Sequence, residues 1–299
     1  MPVSTVSRIA ARVAPRIAVI FLAALVLAAL PALAASGASG AVEPACDVAG
    51  DVAGTDRRRA LDACAAARER FTELFGAPVP EVVIYLEDRS GYRTGVRGGR
   101  AILVWPTTRA MAGRLDGPRD AVAARVAEQW RDVLPHEIAH VLLAARFFPD
   151  GGRSPGYGTP FPDWFDEGVA IWAESPAQRE KRLAQARALP EGLRALSGIL
   201  DSAHPAARDA SILRIRDGAA IPDDEALWTY YPRSIAVVAF VFETGGQEAM
   251  RALAERMLAD PDAPVRLEGL PGFPATAAEV EALWEAWMRR RRSDDRGPQ

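Results

Sequence analysis

Val133-Leu134-Pro135-His136-Glu137-Ile138-Ala139-His140-Val141-Leu142-Leu143 is the stretch around which this 299-residue chain is organised. Its apolar content predicts a buried helix, with Val133, Leu134, Ile138, Val141, Leu142 and Leu143 covering the faces away from the histidines. Residues four apart share one face of a helix, so the imidazoles of His136 and His140 can both reach a single ion about 2.1 Å from each. Glu137 follows the first of them and points beside that ion, where a carboxylate can take a proton from water. The chain holds three histidines in all, and two of them fall in this one arrangement around a glutamate. Pro135 is awkward inside a helix. The expectation is that Asp132 is the N-cap, which leaves Pro135 in a first turn whose amides lack internal partners; a kink just before the site is the alternative.

A hydrolytic metal site usually takes three protein ligands and leaves one position for water, so two histidines are too few. The segment Asp163-Trp164-Phe165-Asp166-Glu167-Gly168-Val169-Ala170-Ile171-Trp172 supplies a third on the next predicted helix, Glu167. Gly168 and Ala170 are expected to let that helix approach the histidine helix closely. Asp163 and Asp166 read as N-cap and first-turn acids favoured by the helix dipole. Glu174 lies seven residues after Glu167 on the same face, as an outer hydrogen-bond partner or, by preference, a solvated charge. His204 precedes Pro205 in an apparent loop with no helical partner, and is given no part in the site.

HEIAHVLL at 136–143 followed by PDWFDEGVAIW at 162–172 resembles the gluzincin clan of zinc peptidases, specifically the peptidase MA-like group, which pairs H-E-x-x-H with a downstream W-x-x-E-G-x-A helix. Tyr231-Pro232-Arg233-Ser234 ahead of a long apolar helix, then Gly245-Gly246, resembles that group's Tyr-x-x-Ser segment, and Thr276 to Met288 its closing helix. Strand 101–105 is similar to the family strand above the active-site helix, whose edge pairs with an extended substrate. The likeness spans about 60–292, and only the two metal-binding segments are sharply specific. Between His140 and Glu167 lie 26 residues, more than in thermolysin-like or aminopeptidase members, an excess placed in the glycine-rich loop before 162. The Gly-x-Met-Glu-Asn signature of aminopeptidases is not in the chain, which favours an endopeptidase. The resemblance implies Zn2+ on His136, His140 and Glu167, Glu137 as general base, and a peptide or protein substrate. It also implies Tyr231, with Tyr230 as its rival, as the donor to the developing oxyanion. The alternatives are a non-catalytic binding or scaffold domain on the same fold, and a zinc hydrolase acting on an envelope amide.

Around this centre the fold class reads as α+β: a small mixed β-sheet with the active-site helix, then a mostly helical C-terminal half. A helix is predicted from Thr55 or Asp56 to about Phe75, with strands at 82–86 and 101–105 across a glycine-rich stretch. A helical pattern follows over 120–148, then a loop to 162, then helices at 163–175, 177–188, 206–215, 233–244, 246–259 and 276–292. Residues 35–55 read as a flexible arm, 56–292 as the catalytic domain and 293–299 as a tail. Cys46 and Cys64 are expected to form a disulfide. Arg8, Arg12 and Arg16, an apolar run over 17–34 and Ala32-Leu33-Ala34 predict a secretory signal over 1–34, or an uncleaved anchor able to hold the protein at a membrane. Either places the remainder outside the cytoplasm. At 49% hydrophobic, 25% charged and net −3, the chain has material for a real core and is neither a polybasic nucleic-acid binder nor a disordered segment. No oligomeric state follows from these residues.

Overall fold

The computed structural model describes residues 45–89, 91–150, 161–202, 204 and 224–294. The N-terminal signal or anchor, the glycine-rich loop over 151–160 and the expected helix at 206–215 lie outside the described residues.

Four strands form one mixed sheet in the order β1-β2-β4-β3: β1 (Cys46–Ala49), β2 (Val82–Glu87), β3 (Arg93–Arg97) and β4 (Arg100–Pro106). Strands β1, β2 and β4 run parallel, and β3 is antiparallel to β4. Helix α1 (Gly54–Phe75) links β1 to β2 and buries Ala60, Ala63, Cys64, Ala67, Phe71 and Leu74, a stripe at helical spacing. The Cys46–Cys64 disulfide forms as expected and ties β1 to α1 across 18 residues. Part of the arm read as flexible is therefore strand β1, paired with β2 from Cys46 to Ala49. The glycine-rich stretch before β4 holds a further strand, β3. Gly98 and Gly99, at φ of 58° and 73°, form the two-residue turn that a tight hairpin demands. This hairpin corrects the reading of strand 101–105 as the sheet edge: β4 is flanked on both sides, and β3 is the edge.

After α2 (Thr108–Ala112), helix α3 (Arg119–Glu128) runs through a π-helical turn (Gln129–Val133) directly into α4 (Leu134–Phe147). Asp132 is not an N-cap. It is buried inside the π turn, accepting bonds from the Arg131 guanidinium and from the Ser175 backbone N–H. The turn answers the problem Pro135 poses. Proline has no N–H to give and its ring crowds the carbonyl four residues back. The wider turn, in which the Leu134 N–H reaches the Gln129 carbonyl, opens the backbone at that point.

The rest is helical: α5 (Asp163–Trp172), α6 (Pro176–Ala188), α7 (Glu191–Arg194), α8 (Leu196–Leu200), α9 (Asp224–Ala259) and α10 (Ala277–Asp294). The helix expected from 233 begins at Asp224 and carries Pro232, and its break before the next segment falls at Gly246, where φ is 65°. Helix α10 continues to Asp294, two residues into the segment read as tail. Helix α4 packs on β3, β4 and α1, while α5 lies between α4 and α9. Gly168 serves the second of these contacts, correcting the expectation that it faces the histidine helix. A Cβ there would meet Val238 Cγ2 at 2.5 Å and the Ser234 carbonyl oxygen at 2.6 Å, both on α9. Among the described residues no helix is long and apolar enough to cross a membrane.

Candidate metal centre

His136 and His140 stand one turn apart on α4, their Nε2 atoms 3.2 Å from each other. The other ring nitrogen of each is held by a buried carboxylate. His136 Nδ1 lies 3.0 Å from Glu174 Oε1, and His140 Nδ1 lies 2.8 Å from Asp166 Oδ1. A carboxylate only accepts, so each Nδ1 carries the proton in the neutral imidazole and each Nε2 presents a lone pair. Two lone pairs at 3.2 Å repel unless something positive sits between them.

Glu167 completes the arrangement from α5. Its Oε2 lies 3.4 Å from His136 Nε2 and 3.9 Å from His140 Nε2, buried and without a hydrogen-bond partner among the described residues. The three separations share a centre about 2.1 Å from each atom, the length of an ordinary zinc–ligand bond. This buried group of His136, His140 and Glu167 could hold a metal ion. The electrostatics agree. Burial opposes a charge on His136, but Glu167 and Glu174 outweigh it and push its pKa up to about 10. His140 is raised in the same way, with Asp166 prevailing over burial. Burial would lift the Glu167 carboxyl, yet the two imidazoles hold it down to about 2. The pocket is built to contain positive charge.

The outer residues correct the sequence reading. Asp166, read as a first-turn acid, is 3% exposed and orients His140. Glu174, read as a solvated charge, is 4% exposed and orients His136. It sits in the corner between α5 and α6. Arg70 of α1 fastens that corner through the Glu174 carbonyl, and Asp132 fastens it through the Ser175 N–H. Asp163 is not the N-cap, which is Pro162; its carboxylate accepts the His204 backbone N–H. His204 is 1% exposed, with Nε2 3.4 Å from the Tyr231 hydroxyl and 4.0 Å from Glu167 Oε1, so the third histidine borders the same site. Burial lowers its pKa, keeping it neutral.

Glu137 follows His136 on α4 and is partly exposed. Tyr92 lies near enough to feel the Glu137 charge, and its ring rests on Trp105 at 5.7 Å between centroids. Burial and then the Glu137 charge raise the Tyr92 pKa, so it stays a hydrogen-bond donor. Of the two candidate tyrosines, Tyr231 is half-buried beside His204. The Tyr230 hydroxyl is buried with no hydrogen-bond partner among the described residues. Nothing in the sequence singled out Tyr92, because its place depends on the β3–β4 hairpin. No family model, curated protein or solved structure matches this chain.

Proposed function

We propose that this protein is a zinc-dependent peptidase working outside the cytoplasm, with Glu137 as its general base. One observation carries the reading: three buried ligand atoms converge on a common point, each imidazole is backed by a carboxylate, and a partly exposed glutamate stands alongside. Two imidazoles and one carboxylate at these separations suit zinc. Calcium and magnesium prefer oxygen donors in larger number.

His136, His140 and Glu167 would hold the ion, with Glu174 and Asp166 fixing the rings. Bound zinc supplies a Lewis acid that acidifies a water molecule and polarises a carbonyl. Glu137 accepts the proton from the attacking water and returns it to the departing nitrogen. Tyr231 donates to the oxygen on which charge develops, an interaction worth about 3 kcal/mol in comparable sites. The exposed edge of β3, beside α4, offers backbone groups to an extended chain, which supports a peptide substrate. The disulfide is compatible with an oxidising compartment, and the basic-then-apolar pattern of residues 1–34 supports export. A domain that only bound a partner would have no use for Glu137 beside the cluster.

The test is metal content by mass spectrometry, followed by chelator-sensitive cleavage of an unstructured polypeptide. Glu137→Gln should keep its metal and lose turnover. A variant that remains fully active would show that another group takes the proton.

A further inference from the structure

Glu174 and Tyr231, one behind a metal ligand and the other beside His204, share a neighbour that neither motif contains. Arg182 lies on α6 with its side chain only 19% exposed. Its Nε is 3.6 Å from Glu174 Oε2, and its guanidinium carbon lies 5.3 Å from the centre of the Tyr231 ring. We infer that Arg182 is a positioning residue for the proposed reaction, clamping the carboxylate behind His136 and the Tyr231 phenol in one arrangement.

The chemistry of the two neighbours explains why a guanidinium is buried here. Glu174 gives Oε1 to His136, which leaves Oε2 buried with no hydrogen-bond partner among the described residues. A buried carboxylate oxygen in that state needs a cation close by. The Arg182 Nε is likewise buried without a hydrogen bond, held at ion-pair distance instead of bonding distance. That separation is what results when one planar group serves two partners, offering its face to an aromatic ring and its edge to a carboxylate. Lysine, a point charge on a flexible stem, cannot satisfy both at once. The helix favours the placement, because Arg179, one turn earlier, lies over the Trp172 ring at 4.4 Å and pins that face of α6 to the end of α5. Among the described residues, the charged or titratable groups seen around Tyr231 include His204, Tyr230 of the same helix and Tyr92 from the sheet side. Arg182 lies over the Tyr231 ring.

The inference rests on the peptidase reading for its effect on turnover, but not for its effect on Tyr231. The experiment therefore uses two readouts on the full-length, metal-loaded protein. First, phenol ionisation is followed by ultraviolet absorbance in the wild type, in Arg182→Met and in Tyr231→Phe, the last identifying the Tyr231 component. Removing the cation should move that component up by about one pH unit. Second, kcat of Arg182→Met should fall about tenfold with KM little changed. Added guanidinium should restore part of the loss. If Arg182→Met does not fold, Arg182→Gln, which keeps a planar polar end without charge, is read in the same way. A folded, metal-loaded variant with an unmoved Tyr231 titration and wild-type kcat overturns the inference. If the wild type cleaves no peptide, the functional reading fails, and the Tyr231 titration alone then decides the role of Arg182.

Discussion

Gly168→Ala tests how Glu167, the third candidate ligand, is placed, and its consequence can be worked from the packing. The added Cβ would lie 2.5 Å from Val238 Cγ2, 2.6 Å from the Ser234 carbonyl oxygen and 3.1 Å from the Ser234 carbonyl carbon. Ordinary contact begins near 3.4 Å, so α5 and α9 must part by about 1 Å where they cross. Two of the three obstructing atoms are backbone, and neither can rotate away. Overpacking of this kind costs about 1–3 kcal/mol of stability. Glu167 is the adjacent residue and moves with α5, whereas His136 and His140 stay on α4. Metal sites tolerate errors of about 0.2 Å in ligand distance, so a displacement several times larger should weaken metal binding about 10–100-fold. The assay is denaturant unfolding of the metal-free protein, together with competition against a chromogenic chelator. Gly192→Ala is the control, since nothing lies within 4 Å of its added Cβ and alanine favours a helix. Wild-type stability and affinity in Gly168→Ala would refute both the helix crossing and the dependence of Glu167 upon it.

Glu174→Gln should lower metal affinity about 10–100-fold while leaving the fold intact, because the amide can present the wrong atom to His136 Nδ1; unchanged affinity by chelator competition would count against its orienting role. In the metal-free protein the raised His136 stabilises fully below its ordinary 6.5, and that contribution is lost as pH climbs through about 10. The depressed Glu167 stabilises above its ordinary 4.5, and that contribution is lost as pH falls through about 2. The metal must displace the His136 proton, so affinity should rise about tenfold per pH unit for each proton released until the pH reaches the His136 value of about 10, and acid should empty the site. A flat affinity profile between pH 7 and 9 would contradict this. Replacing Cys46 and Cys64 with serine should cost about 3 kcal/mol for a loop of this length, seen as a lower unfolding midpoint. Metal affinity of the folded variant should change little, because His136, His140 and Glu167 stand on α4 and α5, neither of which the disulfide joins.

Much of the candidate site was legible because its parts are local. His136 and His140 need only one helical turn to meet, and Glu167 lies in a segment whose apolar neighbours mark it as buried. The seven-residue step to Glu174 put it on the correct face, but sequence does not show that Arg70 and Asp132 tie down the corner in which it lies. Burial made the difference between a solvated acid and an orienting carboxylate. Gly168 was recognised as a close-packing position and assigned to the wrong neighbour, since a glycine records that something approaches and not which helix does. Strand β1 was hidden by the alanine and glycine around it. Strand β3 was hidden because Arg93-Thr94-Gly95-Val96-Arg97 has too few apolar residues to announce itself. Both are held by partners distant in sequence, and with β3 went Tyr92. His204 was dismissed for its proline-flanked setting, yet Asp163 anchors its backbone and Tyr231 its ring.

The π turn separates two angular settings along what is otherwise one rod. Each residue in an α-helix advances the phase by about 100°, so the single extra residue lets Val126 of α3 and Trp130 of the π turn face inward independently of where α4 aims its histidines. Deleting one residue there would swing α3 by that angle and turn Val126 out of the core, while the His136–His140 spacing stayed as it is. Pro135 acts as the lock on this arrangement, because a uniform helix would drive its ring back onto the Arg131 carbonyl.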